Sequence, residues 1–248
     1  MKKRVGTLLL FLAVLAGGGN LFAAGEDELF IEGDRLAKVL RAGRTVVSAN
    51  QDLINDPTKG DKGLSPEVFL AQLTAAYLEK NGEPPLVPDL SERQRNLTQA
   101  QLDAMAEVIG EQQVLINTPE MGFKGFIPAL FGRLVNERFS EKVGDLAKVK
   151  VTAPADLVRN RTALPDPWEA AVIADKFQSA GWAKGEPWAE EVTEGNRTVF
   201  RMLIPEYYSS SCLSCHGEPK GEMDVTGFPK EGGHEGDLGG AISIILRP

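Results

Sequence analysis

With 248 residues, 42% of them hydrophobic and 25% charged, the chain has the composition of an ordinary globular protein, enough for one large domain or two small ones. A formal charge of -8 argues against nucleic acid as a partner. The same acidity suits solubility first, and docking of a basic redox partner second.

In chain order, Lys2, Lys3 and Arg4 precede an apolar stretch from Val5 to Ala16, broken by Gly17-Gly18-Gly19-Asn20 ahead of Ala23 and Ala24. That order reads as a secretory signal over residues 1–24, although Leu21 and Phe22 spoil a clean small-residue cleavage pattern and leave an uncleaved anchor as the alternative. No later stretch is long and apolar enough to span a bilayer, so the mature product is expected in the periplasm.

A helical region follows over residues 25–110. Leu29, Ile31, Leu36, Val39, Leu40, Val46, Val47 and Leu53 predict one long amphipathic helix stopped by Asn55-Asp56-Pro57. Ser65-Pro66-Glu67 supplies an N-cap, a proline at the first helical position and an acidic first turn, which predicts a helix from Pro66 to about Lys80. Beyond Ser91 and Glu92, the spacing of Leu102, Met105, Val108 and Ile109 predicts another. The second region, residues 111–248, mixes types: Ala129–Phe139 reads as helix, while Val149–Thr152, Thr198–Ile204 and Ala241–Leu246 read as strands. The last two strands flank a long loop.

That loop carries Cys212-Leu213-Ser214-Cys215-His216, the attachment sequence for a c-type haem, and it uses both cysteines of the chain. The thiols would form thioethers with the vinyl groups, and His216 would be the proximal iron ligand. Three other readings use the same residues. A dithiol redox pair needs a reactive thiolate in a thioredoxin-like setting, whereas Ser209-Ser210-Ser211 and Gly217-Glu218-Pro219 read as loop. Structural zinc needs four ligands, and the only other histidine is His234. A disulfide would close only a tiny loop and constrain little. Covalent haem c is the simplest reading, and export agrees with it.

Taken in order, Asn50 to Pro57 with Gly60-Asp61-Lys62-Gly63, Pro119 to Pro128, Pro165-Asp166-Pro167-Trp168-Glu169, Cys212 to Gly217 and Glu235 to Ser243 resemble a family of bacterial single-haem c-type proteins. The resemblance covers most of the mature chain. It implies an α+β fold, with a helical N-terminal region packed on a PAS-like antiparallel-sheet haem domain. Some members are fused to histidine kinases or chemoreceptors, where the haem domain is read as a redox or gas sensor. Family members can also use a cysteine from an N-terminal helix as second axial ligand, and this chain has no third cysteine.

The sixth iron position is therefore open to His234, to Met121, Met202 or Met223, or to water. Arg161 is a candidate partner for a haem propionate, and Trp168, Trp182, Trp188 and the Tyr207-Tyr208 pair are candidate pocket walls, with core packing the simpler role for these aromatics. No nucleophile and base pair, phosphate loop or paired carboxylate motif points to an enzyme. The expected function is a periplasmic monohaem electron carrier. The alternative is a haem-based redox or gas sensor that acts through a separate partner, since no output domain follows within the sequence. Expected partners are a periplasmic redox or signalling protein, with a homodimer as a further option.

Overall fold

The computed structural model describes residues 24–247, so the leader assigned to residues 1–24 lies outside the described residues except for Ala24. Helix α1 spans Ala24–Ala49 and a short helix α2 spans Gln51–Ile54. The single long helix expected from the periodicity is thus interrupted at Asn50, whose backbone leaves helical values at ψ 9°. Its side chain donates to Val46 O and to Gln72 Oε1, both at 2.8 Å, so it competes for a helical carbonyl and ties the break to the next helix.

Helix α3, Pro66–Asn81, begins where Ser65 Oγ accepts from Val68 N, and it ends at Gly82 in the left-handed region. Helix α4, Glu92–Glu111, opens on a capping box between Ser91 and Gln94, and the short α5, Gln113–Ile116, follows. Helix α6, Pro128–Val143, runs one residue earlier and four later than its sequence pattern indicates.

Four strands complete the α+β fold: β1 Ala147–Thr152, β2 Trp188–Glu194, β3 Arg197–Tyr207 and β4 Leu238–Leu246. The sheet is antiparallel throughout, in the order β1-β4-β3-β2. Strand β2 has no counterpart in the sequence reading, because Glu190, Glu191 and Glu194 leave little apolar signal. It forms by pairing along β3 from Trp188↔Leu203 to Glu194↔Arg197. The helix α7, Pro167–Val172, crosses the chain between β1 and β2, and a single helical turn α8, Leu213–His216, lies in the connection between β3 and β4.

Alternation along the strands gives the sheet two working faces. Phe200, Met202, Ile204, Ile242, Ile244 and Leu246 join one buried cluster with Leu36 and Leu40 of α1, Phe69 and Leu73 of α3, Met105 of α4, and Phe131 and Phe139 of α6. The helices and the sheet therefore share a core. Phe131 is its centre, with ring centroids 5.3 Å from Phe69 and 6.2 Å from Phe126. On the opposite face Leu203 and Ala241 pack with Val172, Ile173 and Phe177, and Trp168, Trp182 and Trp188 close over them.

One ion-pair cluster fixes α1 against the end of β3. Glu206 accepts from Arg41 Nε and from Arg44 Nη1, each at 2.6 Å. Burial opposes the Glu206 charge, but the two guanidiniums outweigh it and hold the carboxyl below its usual range. The register shifts between Glu206 and Tyr207, where the chain leaves the sheet for the loop that carries the cysteines. Among the described residues, no helix is long and apolar enough to cross a membrane.

Because Phe131 is fully buried among aromatic and aliphatic neighbours, Phe131→Ala should cost about 3–5 kcal/mol of unfolding free energy, read as a lower urea midpoint with an unchanged slope.

Candidate functional site

The connection from β3 to β4 is held in place by backbone hydrogen bonds that close on Tyr208. Tyr208 N donates to Asp237 O at 2.9 Å, and Gly236 N returns to Tyr208 O at 2.8 Å. The Tyr208 ring lies against bare backbone. A Cβ placed on Gly239 would sit 2.3 Å from Tyr208 Cε1, and one on Gly233 would sit 2.6 Å from its Cε2, so both positions require glycine for close approach. The same ring stacks on the His216 imidazole, with centroids 5.1 Å apart and planes 18° from parallel. Burial, then the nearby Glu231 charge, pushes the Tyr208 hydroxyl up to about 12, so it stays neutral.

Cys212 and Cys215 stand three residues apart across the helical turn that ends in His216, a spacing that sends both side chains to one side. Both are free thiols, each partly exposed. Ser209 Oγ lies 3.3 Å from Cys212 Sγ, and Ser214 Oγ donates to Cys215 Sγ at 3.8 Å. Burial pushes the Cys215 thiol up, the reverse of what a nucleophilic redox cysteine requires. Among the described residues, no group of three or more His, Cys, Asp and Glu side chains is arranged to hold a metal ion, which argues against structural zinc.

The His216 ring is fixed on two sides. Besides the Tyr208 stack, its Nδ1 lies 2.8 Å from Glu231 Oε2, while among the described residues no group engages its Nε2. Glu231 is in turn held by Arg159, whose Nε reaches Oε1 at 2.7 Å and whose Nη2 reaches Oε2 at 3.0 Å. That Nη2 also donates to Cys215 O at 2.8 Å, and Nη1 donates to Asp224 Oδ2 at 2.6 Å. One guanidinium thereby joins the loop after β1, the cysteine turn and the segment 221–231.

Asp224 is fully buried at its side chain and closes that segment on itself. Its Oδ1 accepts from Thr226 N, Thr226 Oγ1 and Phe228 N at 2.8, 2.7 and 3.1 Å. Burial opposes its charge, but the hydrogen bonds from Thr226, Arg159 and Phe228 hold it far below the ordinary carboxylate range. For Glu231, burial is likewise outweighed by Arg159 and then His216. On the same segment Met223, Val225 and Phe228 expose 60%, 59% and 43% of their surface, an apolar edge just beyond the cysteine turn.

The other residues singled out in the sequence take different places. Arg161 is exposed on a short turn, where its carbonyl accepts from Leu164 N at 3.2 Å and its side chain has no hydrogen-bond or ion-pair partner among the described residues. Arg159, two residues earlier, makes the contacts at the site and has no distinguishing signal in the sequence, because its partners are 56 to 72 residues away. His234 is exposed, with its N–H bonded to Asp237 Oδ2 at 2.8 Å. Met202 is fully buried in the helix-facing core, Met121 is exposed in the loop before α6, and Met223 lies on the exposed edge. The three tryptophans pack on the outer face of the sheet.

A family described as Tll0287-like (Tll0287) has a model that matches residues 32–247. No curated protein and no solved structure gives a significant match.

The carboxylates predict the acid response. Asp224 and Glu231 titrate lower in the fold than in an unfolded chain, which therefore binds more protons between the two values. Their contribution is fully present above roughly pH 4–5 and drains away as pH falls through the folded values. Thermal unfolding followed from pH 7 to pH 3 should show the midpoint dropping in that lower range, with a shallower drop in Asp224→Asn.

Proposed function

The chain belongs to the Tll0287-like family, and on that premise we propose that it is an exported single-haem c-type protein that carries electrons for a periplasmic partner. The observation that carries this reading is the donor set. Two free thiols three residues apart precede a histidine whose Nδ1 is already hydrogen-bonded and whose Nε2 has no partner among the described residues. The residues present fit the group: Cys212 and Cys215 would hold it by adding their S–H bonds across its two vinyl groups, and His216 Nε2 would supply the axial nitrogen. When bound, haem c would supply a one-electron couple.

The chain's own residues shape that site in three ways. Tyr208 and Glu231 keep the His216 ring from rotating. Met223, Val225 and Phe228 offer apolar surface that a flat hydrophobic group would cover, which gives their exposure a purpose. Arg161, whose side chain is exposed and without a partner among the described residues, is available to a propionate. Export is supported by the charged and apolar start of the chain, since haem c is attached outside the cytoplasm.

The exported protein should show a covalent c-type absorption spectrum that survives denaturant and organic extraction. Cys212→Ala and Cys215→Ala should each lose most of that extraction-resistant haem. Unchanged haem retention in both variants overturns the attachment. Carbon monoxide separates the roles: a reduced spectrum indifferent to the gas supports electron transfer, whereas a shifted one moves the assignment to gas sensing.

A further inference from the structure

The His216 imidazole is held by a carboxylate that is itself shared with a guanidinium, and this arrangement has a consequence for the iron that attachment alone does not imply. Glu231 uses Oε2 for His216 Nδ1 at 2.8 Å and for Arg159 Nη2 at 3.0 Å, and Oε1 for Arg159 Nε at 2.7 Å. A hydrogen bond from Nδ1–H to a carboxylate fixes the tautomer whose lone pair sits on Nε2. It also draws the proton partly away from the ring, which makes the ring a stronger electron donor than one bonded to a neutral carbonyl. Arg159 opposes that donation because it neutralises the same carboxylate through two parallel hydrogen bonds.

The arrangement is built rather than incidental. Glu231 and Arg159 are both mostly buried at their side chains, 16% and 17% exposed. The guanidinium is committed to Asp224 and to Cys215 O as well, so it cannot swing away from Glu231 without breaking the cysteine turn's own contact. His216 in turn cannot rotate to another acceptor, because Tyr208 covers its face.

We propose that Glu231 is the positioning residue of the axial histidine, and that the opposed charges of Glu231 and Arg159 set the reduction potential of the iron, Glu231 lowering it and Arg159 raising it. This rests on the reading of the chain as a haem c protein. The carboxylate favours the more positively charged ferric state by strengthening its nitrogen ligand, and the guanidinium disfavours it.

The test is the midpoint potential of the exported holoprotein, by spectroelectrochemical titration, in wild type, Glu231→Gln, Glu231→Asp and Arg159→Gln, with covalent haem quantified in each. Glu231→Gln should keep its haem and raise the potential. Glu231→Asp, which keeps the charge, should stay nearer wild type, and Arg159→Gln should lower the potential. Simple loosening of the fold would let water in and move Glu231→Gln and Arg159→Gln in the same direction, so opposite signs support the proposal. Haem-loaded variants whose potentials match wild type, or shift together, overturn it while leaving attachment intact. A wild-type chain with no covalent haem overturns the reading beneath it, and the proposal with it.

Discussion

A single guanidinium holds together three chain segments that lie outside the sheet. Arg159 follows β1, Cys215 lies in the cysteine turn, and Asp224 and Glu231 belong to the segment leading back toward β4. A long loop of this kind has little hydrophobic area of its own and must be ordered by polar contacts that offset its conformational entropy. Arginine suits the task because its planar fork donates in several directions at once, and because it remains charged when two carboxylates share it. Arg159 helps to hold both carboxylates ionised against burial, together with the hydrogen bonds from Thr226 and Phe228 at Asp224 and from His216 at Glu231, and the two carboxylates in turn offset the burial of the arginine.

The hydrogen-bonded loop would still drift if its two ends were free. Its first end is fixed by Glu206, which takes two guanidiniums from α1 just before the chain leaves β3. Its second end enters β4, the central partner of both β1 and β3. Helices α1 and α6 cover one face of that sheet, and the tryptophan layer covers the other, so the strands delivering the loop are rigid on both sides. Tyr208 transmits that rigidity to His216, since its ring is trapped between glycine backbone and imidazole.

Function here depends on small differences between neighbouring groups. A thiol raised by burial is poorly suited to redox exchange, and among the described residues no clustered ligand set of the kind structural zinc needs is present. A histidine with one nitrogen bonded to a carboxylate, and the other without a partner among the described residues, is what the proposed axial role requires. Exposed Met223, Val225 and Phe228, which would be a liability on a bare surface, fit beside a planar apolar group.

Much was legible in the sequence. Ser65-Pro66 and Ser91 mark helix starts because capping is a local hydrogen bond, and Thr198 to Ile204 and Ala241 to Leu246 announce strands because a short run of β-branched and apolar residues is local as well. The spacing of Cys212, Cys215 and His216 is a property of five consecutive residues and needed no fold to be seen. Tertiary structure alone decided the rest. Strand β2 exists because β3 offers it an edge, not because its own glutamate-rich sequence favours a strand. The interruption of the first helix at Asn50 depends on Gln72 across a helix pair. The contacts of Arg159 with Asp224, Glu231 and Cys215, and the pairing of Glu231 with His216, belong to groups brought together across long stretches of chain. No local periodicity encodes such contacts, because they exist only after the sheet has closed and set the loop upon it.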